Sequence, residues 1–190
     1  REAGDTLWLY TCCSPKPPHA NFFVDEPGID HRVLFWQTRQ AGATGFLFWA
    51  VCYWHGLPMP STNEAHFPDV PLRFERLGTY QNFKDNGDGV LIWPGHDYQP
   101  LASIRLECIR DGIEDYEYLA LLSRLIERAE ALSEADRPDA ALLAEARELA
   151  TVPASISEDM THYTKDPEVL LTRREAVGDV IERLQAALGE

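Results

Sequence analysis

The chain has 190 residues, 45% hydrophobic and 25% charged, with 31 acidic side chains against 17 Lys and Arg and a formal charge of -14. These are globular proportions for one domain or one and a half, and they exclude a disordered or low-complexity chain. The acidic balance argues against a nucleic-acid partner, which needs a basic footprint, and no apolar run approaches the ~20 residues of a membrane span.

The opening Arg1-Glu2-Ala3-Gly4-Asp5 has neither a basic n-region nor an apolar h-region, so no signal peptide is expected in this chain. No compartment follows from the sequence. The first predicted element is a strand over Thr6–Thr11, rich in aromatic and apolar residues. A loop with Pro15, Pro17, Pro18 and Pro27 leads to a helix predicted over about 28–41, with Gly42 suited to its end. Gly45–Val51 is continuously apolar and reads as a strand buried on both faces. Strand, helix and strand together predict one βαβ unit with a parallel pair.

A long irregular stretch follows, from Cys52 to Asp88. Val90–Trp93 reads as a short strand between the turns Asn86-Gly87-Asp88-Gly89 and Pro94-Gly95. Three helices are predicted beyond it: from Ser103 to about 132, bent at Gly112, then about 138–150, then about 167–188. All five Trp, all eight Phe and four of the seven Tyr precede residue 103. The first part therefore reads as the site-bearing region and the rest as a helical wrapper.

The chain lacks GxSxG, HExxH, GxGxxG and GxxxxGK[ST] motifs. Its four cysteines have no CxxC spacing, and its six histidines (His19, His31, His55, His66, His96, His162) show no i,i+4 pairing. Neither a metal site nor a cofactor is expected. Asp85–Gly89 reads as a β-turn, because a calcium loop with Gly89 in its sixth place would begin at Lys84, where a carboxylate is needed.

Asp25-Glu26 is the one adjacent acid pair in reach of a strand end. Adjacent carboxylates suit a glycosidase in which one orients the substrate's acetamide and the other protonates the leaving oxygen. The competing reading is a helix-entry loop whose acids favour the helix N-terminus. Trp8, Tyr10, Trp49, Tyr53 and Trp54 gather at the two strand ends, where parallel α/β folds bind ligands. Of the aromatic residues, Trp8, Phe46 and Phe48 are assigned to the core. Tyr10, Trp49, Tyr53 and Trp54 are assigned to a sugar-binding pocket, because flat aromatic faces fit the C–H faces of a sugar ring. On the first long helix, Arg105 with Glu107, and Arg110 with Asp111, Glu114 and Asp115, read as a structural ion-pair network.

Several segments, in order, resemble one known family: Leu7-Trp8-Leu9-Tyr10-Thr11-Cys12-Cys13, Asn21-Phe22-Phe23-Val24-Asp25, His31–Gln37, Gly45–Trp49, Gly87–Leu91, and Ser103-Ile104-Arg105-Leu106-Glu107 running on to Glu114-Asp115-Tyr116. Over about residues 4–120 the chain resembles the C-terminal part of the catalytic domain of glycoside hydrolase family 123. The resemblance implies a (β/α)8 barrel and retaining, substrate-assisted β-N-acetylgalactosaminidase chemistry, in which the acetamido oxygen attacks the anomeric carbon to give an oxazolinium. It also makes Thr6–Thr11 and Gly45–Val51 the last two strands, and places the family's Asp-Glu pair upstream of Arg1. A whole barrel needs about 250 residues and eight strands, and only two parallel strands are predicted here.

The expectation is therefore an α/β chain. Residues 1–135 form the C-terminal part of a glycoside hydrolase-like barrel and 136–190 a helical extension. Its partner is a carbohydrate, and it self-associates through an open barrel edge. In the pocket, Tyr10 hydrogen-bonds the acetamido oxygen and Trp49 stacks on the ring. Alone it is expected to be inactive. A non-catalytic carbohydrate-binding or purely structural remnant of such a barrel is the alternative.

Overall fold

Residues 4–53, 87–94 and 99–189 are described by the computed structural model. Strand β1 (Trp8–Thr11) is followed by helix α1 (Gly28–Gln40) and strand β2 (Gly45–Phe48). The two strands are parallel neighbours, in register from Trp8 opposite Gly45 to Thr11 opposite Phe48. This is the predicted βαβ unit, with both strands shorter than expected. The end of β2 has a physical cause: the chain beyond it leaves β1 for another partner. The Leu91 and Ile92 amides donate to the Val51 carbonyl (2.8 and 2.9 Å), the Tyr53 amide donates to the Gly89 carbonyl (2.8 Å), and Cys52 bridges Val90.

Side chains alternate across a strand, so Leu9, Thr11, Phe46 and Phe48 share one face. Phe46 and Phe48 meet Phe22 with ring centroids 5.5 and 5.0 Å apart, and Phe46 also meets Phe35 at 5.3 Å. The other face carries Trp8, Tyr10 and Leu47, which are 60%, 50% and 50% exposed. This corrects two expectations. The Gly45–Val51 strand is not buried on both faces, and Trp8 is not core; its indole instead lies over Gly45, where a Cβ would come within 2.4 Å of Trp8 Cε2.

Strand β3 (Ile92–Pro94) pairs antiparallel with β4 (Pro100–Ala102). Sequence patterning does not reveal β4, because Pro100 lacks a ladder donor and the segment is exposed. Helix α2 (Ile104–Ala131) starts on Ser103, whose hydroxyl accepts from the Leu106 amide at 3.2 Å. The Ser103 amide donates to the Leu91 carbonyl at 3.1 Å, which ties the helix start to the chain before β3. Helix α3 (Ala140–Leu149) is capped by Asp139. Helix α4 (Pro167–Leu188) is capped by Asp166, has proline in its first turn, and closes on left-handed Gly189.

Helix α1 is buried on most sides: Asp30, His31, Val33, Leu34, Phe35, Trp36, Gln37 and Thr38 are all buried. Its apolar positions spread around the helix because the sheet, α2 and the chain after α3 each cover part of it. Gly112 of α2 is a close-approach glycine: a Cβ there would lie 2.5 Å from Phe35 Cδ2 and 2.9 Å from the Arg32 carbonyl oxygen. Its absent side chain lets α1 and α2 close on each other. The core then runs without a break from Phe22, Val33 and Trp36 through Leu119, Leu122 and Leu125 to Leu143, Leu170, Val177 and Leu184.

Two polar clusters fasten these layers. The buried Asp115 carboxylate accepts from Arg32 Nε and Nη2 (2.6 and 2.8 Å) and from Trp36 Nε1 (2.8 Å), and Arg174 Nε lies 2.8 Å away. It joins α1, α2 and α4. At the start of α1, buried Asp30 accepts from Tyr163 Oη (2.8 Å) and from Lys165 Nζ (2.7 and 2.8 Å).

Candidate functional site

The carboxyl ends of β1 and β2 lead into two segments pinned by Arg105. Its guanidinium is buried at the head of α2 and donates to three carbonyls: Phe22 (2.6 Å), Gly87 (3.0 Å) and Val90. Burial lowers its pKa to about 10, with the nearby Asp88 charge acting against the shift, so it stays charged at neutral pH. Arg105 is therefore a clamp on the backbone and not the partner of Glu107, which corrects its place in the ion-pair network.

The turn that Arg105 holds carries Asp88. Gly87 and Gly89 flank it with φ of +82° and +73°, a region that favours glycine. Neither glycine has room for a side chain. A Cβ on Gly87 would meet Val24 and Arg105, and one on Gly89 would lie 2.5 Å from Trp49 Cζ2. The turn thus passes against the Trp49 ring. Asp88 Oδ1 accepts from Trp49 Nε1 at 2.9 Å, which fixes the indole's orientation. Tyr53 packs on it at 4.9 Å with the rings tilted by 56°.

On the β1 side, Asn21 holds the loop after the strand: Nδ2 donates to the Cys12 and Pro15 carbonyls at 2.9 and 2.8 Å, and Oδ1 accepts from the Phe22 amide at 2.7 Å. The half-exposed Tyr10 hydroxyl lies beside Cys12, whose thiol is the main cause raising its pKa, and the charge on Asp88 adds to it. Tyr10 and Trp49, predicted as pocket residues, thus lie on neighbouring strand ends within the field of Asp88. Trp54 lies outside the described residues.

Asp88 and Asn21 escape the sequence reading because each looks like an ordinary loop residue; the Gly-Asp-Gly spacing is the only local signal for Asp88. An oriented indole, a phenol and a buried carboxylate are the elements from which sugar sites are built: apolar faces with a few placed polar groups.

The remaining candidates fall elsewhere. Asp25 is exposed in the turn before α1. Glu26 is half-buried, and its Oε2 accepts from the Asn21 amide at 2.8 Å. Desolvation, with Asp30 adding its charge, pushes the Glu26 carboxyl up to about 7. Its charged neighbours are Asp30, Lys165 and Lys16. On α2, Arg110 bonds Glu107 and Asp111 and lies 3.7 Å from Glu114. All four side chains are exposed, where such pairs add little stability. Asp115 is separate from this group, because it faces inward to Arg32, Trp36 and Arg174.

Among the described residues, no three His, Cys, Asp or Glu are arranged to hold a metal ion, and no helix is long and apolar enough to cross a membrane. No curated protein matches the chain. The family model described as glycoside hydrolase 123, catalytic domain, matches residues 1–122, from before β1 to the middle of α2. That match spans well over half of the 190 residues, so the chain belongs to the glycoside hydrolase 123 family through its catalytic domain.

Proposed function

We propose that this chain supplies the sugar-binding wall of a retaining, substrate-assisted glycoside hydrolase acting on β-linked N-acetylgalactosamine. Trp49 stacks on the sugar ring and Tyr10 donates its hydroxyl proton toward the acetamido oxygen. The observation that carries this reading is Trp49, held by Asp88 through its indole N–H at the carboxyl end of a parallel strand beside Tyr10. Strand ends of this kind are where barrel enzymes bind substrate. The acid pair of the family mechanism is not assigned to residues of this chain. Asp25 and Glu26 serve the entry to α1: Glu26 holds the Asn21 amide and neighbours Asp30 at the first turn.

The test is a pair of measurements on the 190-residue chain. Titration calorimetry with N-acetylgalactosamine is expected to show binding that Trp49→Ala weakens at least tenfold, about 1.4 kcal/mol. An aryl N-acetyl-β-galactosaminide is expected to be hydrolysed no faster than in buffer. Turnover that Glu26→Gln abolishes would overturn the assignment of the acids. Binding unaffected by Trp49→Ala would overturn the wall.

A further inference from the structure

Cys12 and Cys13 are adjacent in sequence, and their sulfurs lie 3.9 Å apart. No other pair of cysteines makes a sulfur contact among the described residues, and all four thiols are free. The backbone under the pair is held on both sides. The Cys12 amide donates to the Ser14 carbonyl at 2.9 Å, and the Cys12 carbonyl accepts from Asn21 Nδ2 at 2.9 Å. The pair is thus preorganised, so little ordering cost attends a ligand that takes both sulfurs.

The spacing suits a one-atom bridge. A soft trivalent centre is pyramidal, so two thiolates bound to it at about 2.3 Å close to about 3.4 Å apart; the observed 3.9 Å is within a small side-chain rotation of that separation. A direct disulfide is disfavoured. Adjacent Cα atoms are about 3.8 Å apart across a trans peptide, below the roughly 4.4–6.8 Å of ordinary disulfides. A third atom inserted between the sulfurs removes that constraint.

The number of sulfurs narrows the ligand further. A structural zinc needs four protein ligands, and no third His, Cys, Asp or Glu joins this pair among the described residues. A monosubstituted trivalent arsenical needs two thiols, because its third valence is filled by its own carbon substituent.

We propose that Cys12 and Cys13 form a dithiol site for monosubstituted trivalent arsenicals, at the end of β1 and against the Tyr10 hydroxyl. The step is a condensation: the arsenic–oxygen bonds of an organoarsenic oxide break, and two arsenic–sulfur bonds form. Both thiol protons leave with the oxide oxygen as water. Arsenic stays trivalent, and no oxidant is consumed. The assignment is independent of the sugar-binding reading.

The probe is phenylarsine oxide, added at one equivalent to the reduced 190-residue chain, with excess 2-mercaptoethanol afterwards to strip adducts on single thiols. Intact mass is expected to show one phenylarsenic group retained. Thiols titratable after denaturation are expected to fall from four to two. Peptide mapping of the native sequence is expected to place the bridge on the peptide holding both Cys12 and Cys13, and 2,3-dimercaptopropanol to release it. Cys12→Ser and Cys13→Ser should each abolish retention, while Cys52→Ser with Cys108→Ser should leave it intact. Retention by either Cys12→Ser or Cys13→Ser, a bridge mapped to Cys52 or Cys108, or an adduct stripped by the monothiol would overturn the proposal. Mapping on the unmutated chain locates the bridge even if a serine variant fails to fold.

Discussion

Asp115→Asn removes the charge from a buried carboxylate shared by three helices. The side chain is fully inaccessible and faces two guanidinium groups, Arg32 at 15% and Arg174 at 29% exposure. Asparagine keeps the volume and can still accept from Trp36, but its NH₂ then points at a cation, and both arginines lose their nearest counter-charge, keeping only the more exposed Asp111 at 3.8 Å from Arg32 and Glu114 at 3.6 Å from Arg174. Breaking a buried pair from one side costs about 3–5 kcal/mol, against a total stability of roughly 5–15 kcal/mol for a typical domain. With a urea slope of about 2 kcal/mol/M, the midpoint should fall by about 1.5–2.5 M. Urea unfolding followed by tryptophan fluorescence and far-UV circular dichroism measures this. Arg174→Ala is the internal control, with an expected loss of about 1 kcal/mol, since Arg32 still pairs with Asp115 and what remains to be lost is a partly exposed ion pair and a stack 4.6 Å over Tyr118. A loss below about 1 kcal/mol for Asp115→Asn would refute the reasoning. It would mean that desolvating the carboxylate already offsets what its partners contribute.

Two further outcomes follow from buried groups around α1. The Glu26 carboxyl is raised from its ordinary 4.5 to about 7, so the native state binds more protons than the unfolded state between those values. Stability is therefore fullest below about pH 4.5 and declines as pH rises through about 7. The unscreened penalty of about 3 kcal/mol reduces to about 1–2 kcal/mol for a half-buried group. Glu26→Gln should accordingly raise the melting temperature by about 2–6 °C at pH 8.5 and leave it unchanged at pH 4; equal melting temperatures at both pH values would contradict this. Gly112→Ala gains about 1 kcal/mol of helix propensity but drives a methyl to 2.9 Å from the Arg32 carbonyl oxygen. Overpacking against backbone costs about 1–3 kcal/mol, so chemical denaturation should show a net loss, and a stabilised variant would show that the two helices separate freely.

Local chemistry determined much of this protein. The βαβ unit, the parallel pairing and three of the helix starts follow from apolar runs, caps and prolines, each a property of a few neighbouring residues. Family membership was legible for the same reason, because its motifs are short and continuous. Only the tertiary structure decided which aromatics face outward. Alternation assigns Trp8 and Tyr10 to one face but does not say what covers it, and here that face is exposed. Charge pairing was likewise undetermined. On a helix, i,i+3 and i,i+4 spacing identifies neighbours on the same surface, so Arg110 with Glu107 and Glu114 was readable. Arg105 and Asp115 point into the fold, and their partners lie on other elements: the Phe22, Gly87 and Val90 carbonyls for one, Arg32, Trp36 and Arg174 for the other. Asp88 became the partner of Trp49 in the same way. Its tie to Trp49 spans 39 positions, and no local pattern records a contact that exists only once the chain has folded back on itself.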